Sequence, residues 1–309
     1  MRHNMHRLII PVLLILFSLL LMPAPQSVQA ELGENPDPNV LRPNLMPPMT
    51  EEQTAKAKAK LEKCNRYVQL KNEGNYEAAL TQLKEIWPDS MTTVADISES
   101  AVKGKNAIPQ EELEPMETIP GFATSSKAQQ KTVSVTQYPQ EYCSYCGPAA
   151  VRSVLSNQMS NPPSQDTLAD ANHLDTAASG QTSFGDRLPQ TLNAYMNTTG
   201  DYALAWGGTF SAETLKNAMI TDLDAGYPIL ANGISGGSES YVTLSWYPSG
   251  TYHFVCVFGY SDYGNTTWVC DPVANASSCA GMGFDSVLPY YGYQESTFYL
   301  FVLPRGIVY

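Results

Sequence analysis

The sequence predicts an α+β domain, helices first and antiparallel strands second, preceded by a small helical hairpin. Three observations carry this reading. Between Thr50 and Trp87 the chain is rich in Lys, Ala and Glu and is punctuated by helix start and stop signals. From Pro148 to Ala225 further capped, helix-compatible stretches follow one another. From Pro228 onward, short β-branched and aromatic runs are separated by turn residues. Helices and strands segregated in this way indicate α+β rather than alternating α/β architecture.

The first thirty residues stand apart. Arg2, His3, His6 and Arg7 precede an apolar run from Leu8 to Met22, and the polar stretch behind it ends Val28-Gln29-Ala30, whose small residues suit signal peptidase. Residues 1–30 therefore read as a signal peptide, and the mature protein as secreted, extracellular and without stable membrane insertion. Residues 31–49 hold Pro36, Pro38, Pro43, Pro47 and Pro48, which favour an extended leader. Thr50 then caps a helix with Gln53 at capping-box spacing. The helix runs to about Glu73 and Gly74 ends it. Asn75 opens a second, Tyr76 to Trp87, closed by Pro88. Leu61, Cys64, Val68, Leu80, Leu83 and Ile86 are the inward candidates of the pair. Residues 31–87 form an accessory or pro-region, residues 88–130 a polar linker with an acidic patch at Glu111, Glu112, Glu114 and Glu117, and residues 131–309 the main domain. Its expected helices start near Pro148 and cover Ser164–Leu174, Gly185–Met196 and Ser211–Ala225. Its expected strands are one before Gln140, then Pro228–Asn232, Tyr241–Trp246, His253–Tyr260, Thr266–Cys270 and Thr297–Leu303.

The formal charge is −12, and the first thirty residues hold two arginines and no acid, so the mature chain is more acidic still. A strongly acidic chain repels polyanions, which excludes nucleic acid as an expected partner. A peptide or protein substrate remains compatible; the sequence leaves the oligomeric state open.

The chemistry concentrates in Gln140-Glu141-Tyr142-Cys143-Ser144-Tyr145-Cys146-Gly147-Pro148-Ala149-Ala150. Proline suits a first helical turn, so the Cys146 sulfur sits at a helix N-terminus, where the helix dipole and free N–H groups favour thiolate over thiol. A thiolate nucleophile needs a base that later protonates the leaving group, and imidazole has the appropriate pKa. Past Ala30 the chain has two histidines, His173 and His253. His173 falls in a predicted helix and reads as structural; His253 leads an apolar strand and is the expected base. Asp271 ends the following strand, within reach to orient the imidazole. Gln140 carries an amide able to join the Cys146 N–H in an oxyanion hole.

This segment resembles the active-site segment of papain-like cysteine peptidases. The Gln140, Cys143, Cys146 spacing is similar to papain itself, whereas Cys146-Gly147-Pro148-Ala149 is closest to the bacteriocin-leader peptidases and their secreted stand-alone relatives. That branch also fits His253-Phe254-Val255, Gly259-Tyr260, Asp271-Pro272 and the Asp224-to-Ile229 turn. The resemblance covers roughly residues 133–303. It implies a two-lobe papain-like fold with a helical lobe holding Cys146 and an antiparallel β-lobe holding His253. It implies thioester chemistry on Cys146 with His253, Asp271 and Gln140, hydrolysing a peptide or isopeptide bond without metal or cofactor. The same residues would serve an acyl transferase of transglutaminase or phytochelatin-synthase type, and an idle copy would bind peptide or cell-wall ligands.

In papain the cysteine matching Cys143 is disulfide-bonded, which makes Cys143 a bonding candidate, with Cys64 one available partner. Cys270 and Cys279 flank a short polar loop and form a second candidate pair. The Cys143-x-x-Cys146 spacing lacks the second Cys/His pair of a zinc site.

Overall fold

A computed structural model describes residues 46–102, 130–196, 198 and 200–309. The expected signal peptide, most of the proline-rich leader and the acidic patch of the linker lie outside the described residues. Thr50 caps α1 (Glu51–Asn72) as its spacing predicts, the threonine hydroxyl accepting from the Gln53 N–H and the Gln53 side chain from the Thr50 N–H. Gly74, at φ 75°, turns the chain into α2 (Tyr76–Lys84). This second helix stops three residues short of Trp87, which is instead buried. Its ring stacks on Tyr227 with centroids 4.0 Å apart, and its Nε1 donates to Asp222 at 2.8 Å. Of the inward candidates, Leu80 is half-buried and the others are buried.

The linker expectation fails at its start, because Val94–Val102 is a third helix, α3. Thr93 and Asp96 bond reciprocally, side chain to backbone N–H, in the manner of a capping box. That signal stands in the sequence.

The described residues from 130 onward build a seven-stranded antiparallel sheet flanked by helices. In chain order these are β1 (Lys131–Thr132), α4 (Cys146–Leu155), α5 (Gln165–Ala169), α6 (Thr176–Ser179), α7 (Arg187–Met196), β2 (Leu204–Trp206), α8 (Ala212–Ala225), β3 (Ile229–Ser235), β4 (Thr251–Ser261), β5 (Thr266–Cys270), β6 (Tyr290–Gln294), α9 (Glu295–Val302) and β7 (Gly306–Val308). The sheet order is β2-β7-β3-β4-β5-β6, with β1 added to β4. The α+β expectation holds. No helix among the described residues is long and apolar enough to cross a membrane.

Two expected strands are not strands. Thr297–Leu303 lies in α9, because Phe298, Phe301 and Val302 are the residues it buries, at helical spacing. Tyr241–Trp246 does alternate between exposed and buried or half-buried residues, but makes no ladder: the Leu244 N–H donates to the Ser235 hydroxyl at 2.9 Å, and Val242 is tied to Gly236 and Ser240. The expected helix at Ser164–Leu174 shortens to one turn, capped by Ser164.

α1 packs along α8 and contributes buried cations to it. Lys71 Nζ lies 2.5 Å from Asp224 and 3.2 Å from the Tyr260 hydroxyl, and both ionic side chains are at most 2% exposed. Tyr67 and Tyr260 complete the Asp224 shell at 2.6 and 2.8 Å. Nearby, Lys60 sits 3.7 Å from buried Asp222 and 4.1 Å from the centre of the Trp87 ring. Two carboxylates of α8 thus depend on α1 for their neutralisation.

Candidate active site

Cys146 is the first residue of α4, and nine of that helix's ten residues are buried. Tyr145 at the N-cap supplies no side-chain capping bond, so the free N–H groups of the first turn remain beside the sulfur, where the dipole favours negative charge. Pro148 costs nothing there because its missing N–H has no helical acceptor. Gly147 is required by packing: a Cβ would lie 2.2 Å from the hydroxyl oxygen of buried Thr182.

Strand register brings the other two groups together. Cys256 pairs with Cys270 across β4 and β5, so Asp271 continues opposite Val255, and His253, two residues further along the same face, is its diagonal neighbour. His253 Nε2 lies 2.7 Å from Asp271 Oδ1. Cys146 also interacts with the His253 ring, through a side-chain hydrogen bond and through charge. Cys146, His253 and Asp271 thus stand in one chain of contacts, and all three are buried.

The electrostatics favour charged states. Burial alone would lower the His253 pKa, but the Asp271 charge and hydrogen bond, followed by Cys146, raise it from 6.5 to about 10. Burial would raise that of Asp271; the charge and hydrogen bond of His253, with bonds from Tyr247 and Tyr291, hold it below the ordinary carboxylate range. Asp271 accepts from four donors: His253 and the Val273 N–H (2.9 Å) on Oδ1, and the hydroxyls of Tyr247 and Tyr291 (2.7 Å) on Oδ2. Neither tyrosine was expected to contact Asp271. Tyr247 lies one residue past the expected strand Tyr241–Trp246, and Tyr291 in β6, which is not among the expected strands, so only the fold brings their hydroxyls to one carboxylate.

Gln140 is buried beside the nucleophile segment, its N–H donating to the Pro272 carbonyl at 2.8 Å. Its side-chain nitrogen donates to the Cys143 carbonyl at 2.7 Å and contacts Cys279 Sγ at 3.1 Å, while its Oε1 has no hydrogen-bond partner among the described residues. Cys143 is disulfide-bonded to Cys279, with Cα atoms 5.3 Å apart. The expectation that Cys143 bonds is met with a different partner from Cys64, and Cys270 does not pair with Cys279. The reason is topological. Cys270 ends β5 facing Cys256 across the ladder, whereas the loop after Asp271 folds back over Gln140, whose carbonyl accepts from the Ser278 hydroxyl at 2.9 Å.

Cys64, Cys256 and Cys270 are free and buried, and burial pushes each thiol above its ordinary value. His173 is engaged elsewhere, its Nδ1 2.7 Å from Asp170 and its Nε2 2.8 Å from the Tyr195 hydroxyl. This fits the structural role read from sequence.

Residues 129–287 match a family model described as the Peptidase_C39 like family. No curated protein matches the chain.

Proposed function

The chain belongs to the Peptidase_C39 like family, a cysteine-peptidase family, and on that premise we propose that it hydrolyses a peptide or isopeptide bond through a thioester on Cys146. The observation that carries the reading is His253 held between the Cys146 sulfur and the Asp271 carboxylate. In the proposed cycle the Cys146 thiolate attacks the substrate carbonyl carbon. The oxyanion takes hydrogen bonds from the Cys146 N–H and the Gln140 amide, which releases the Cys143 carbonyl to do so. Protonated His253 gives its proton to the leaving amine, leaving the acyl group on sulfur. Neutral His253 then removes a proton from water, which attacks the thioester, and Cys146 leaves as thiolate. Asp271 holds the ring and its charge throughout.

We further propose a two-lobe papain-like arrangement nearest the bacteriocin-leader-peptidase branch, and secretion after cleavage behind Ala30. The Cys143–Cys279 disulfide supports an oxidising compartment. Residues 131–309 carry the chemistry. The helices upstream act as an integral accessory element rather than a removable pro-region, because α1 supplies the partners of Asp222 and Asp224.

The test is cleavage profiling of a peptide library by the chain lacking residues 1–30. Cleavage is expected, lost in Cys146→Ala and reduced about 10²–10⁴-fold in His253→Ala. Cleavage that survives Cys146→Ala unchanged, or no cleavage of any peptide, overturns the reading.

A further inference from the structure

Asp271 is wholly buried, and its Oδ1 is committed to His253 and to the Val273 N–H. Oδ2 is shut off from bulk solvent. It is met by two phenols from separate parts of the chain, Tyr247 from the loop before β4 and Tyr291 from β6, whose hydroxyls are also 2.7 Å from each other. The Tyr291 hydroxyl is in turn 3.2 Å from that of Tyr293. Tyr247 further presents its ring edge-on to His253, with centroids 5.3 Å apart. We propose that Tyr247 and Tyr291 are positioning residues of the catalytic centre, a phenol clamp that keeps Asp271 ionised and fixes its Oδ1 on His253 Nε2. The inference rests on the cysteine-peptidase reading above.

The geometry carries the argument in two ways. A buried carboxylate lacking donors on one oxygen becomes easier to protonate or turns to satisfy itself, and either change takes the acceptor from the imidazole. Two donors on Oδ2 leave Oδ1 as the oxygen directed at His253. The phenols are suited to donate, since burial and the Asp271 charge raise their own pKa values well above 10 and keep them protonated. The ionisable groups around Asp271 are His253 from β4, Cys146 beyond it from α4, Cys270 from β5, Tyr247, and Tyr291 and Tyr293 from β6. Of these tyrosines, the two in contact with Asp271 are Tyr247 and Tyr291, which makes Tyr293 an internal control.

The experiment follows the rate of iodoacetamide alkylation of Cys146 against pH in the chain lacking residues 1–30, for wild type, Tyr247→Phe, Tyr291→Phe, the double variant and Tyr293→Phe. Each single clamp variant is expected to slow alkylation at neutral pH about tenfold, in keeping with a lost hydrogen bond to a charged group, and to move the acid limb upward by about one pH unit. The double variant moves it further, and Tyr293→Phe leaves it in place. Should the double variant fail to fold, the single variants decide. An acid limb unchanged in both single variants, or moved equally by Tyr293→Phe, overturns the clamp while leaving the peptidase reading intact. A wild-type Cys146 that reacts no faster than a free model thiol overturns both.

Discussion

Asp271→Asn is expected to move the alkaline limb of the pH–rate profile for peptide hydrolysis downward by about 1–3 pH units. Asparagine keeps an oxygen opposite Nε2 and removes the charge. The His253 value of about 10 results from Asp271 and Cys146 overcoming burial. Without the carboxylate charge, burial gains the upper hand, the ring loses its proton at lower pH, and the leaving amine goes unprotonated. In the wild-type chain activity falls as pH rises through about 10; in the variant it falls between there and neutrality. Stability follows the same sign. Because the folded value of His253 lies above its ordinary 6.5, its contribution is complete below about 6.5 and is lost as pH rises through about 10. Asp271 acts in the opposite sense: its contribution is present above the ordinary carboxylate range and disappears as pH falls through its lowered value. Thermal unfolding between pH 6 and 10 should therefore decline with pH in the wild type and be flatter in Asp271→Asn. Coincident alkaline limbs would remove Asp271 from the account.

Lys71→Met is expected to lower the unfolding free energy by about 3–5 kcal/mol, a large share of the roughly 5–15 kcal/mol typical of a native protein. The methionine fills the stem's space but leaves Asp224 buried against two tyrosine hydroxyls with no cation. Adding Asp224→Asn removes the stranded charge and should recover most of the loss. Lys56 and Asp201 supply the contrast: both are more than half exposed at 2.7 Å, and breaking that pair should cost no more than about 1 kcal/mol. Urea unfolding of the four proteins measures all of this. A loss below about 1 kcal/mol in Lys71→Met would mean that α1 is not anchored where the geometry places it.

What could be read from the sequence was local. The capping box at Thr50 and Gln53, the Ser211 cap of α8, and the bounds of β5 at Thr266 and Cys270 depend on neighbours in the chain and were legible. So was the nucleophile segment, because glycine and proline after Cys146 describe a helix start. His253 was legible by elimination, since the other candidate, His173, was expected in a helix; the structure puts it in a turn after α5, tied to Asp170 and Tyr195. The helix at Glu295–Val302 was misread because its aromatic and β-branched residues carry strand propensity, while the burial that overrides propensity is a tertiary fact. Disulfide pairing failed for a similar reason: the loop after Asp271 must first fold over Gln140 before Cys279 can reach Cys143. The phenols on Asp271 were invisible in isolation, and the acidic α8 residues gave no sign that Lys60 and Lys71 were their partners.

The central claim is that His253 and Asp271 make Cys146 a nucleophile. Its most direct test is peptide mapping of all six cysteines after brief iodoacetamide treatment near pH 7, in the chain lacking residues 1–30 and in its His253→Ala variant. The account predicts that Cys146 labels first and faster than a free model thiol, that His253→Ala slows it, and that buried Cys64, Cys256 and Cys270 stay unlabelled until the protein unfolds. A Cys146 that labels no faster than the model thiol, or equally fast without His253, would contradict it.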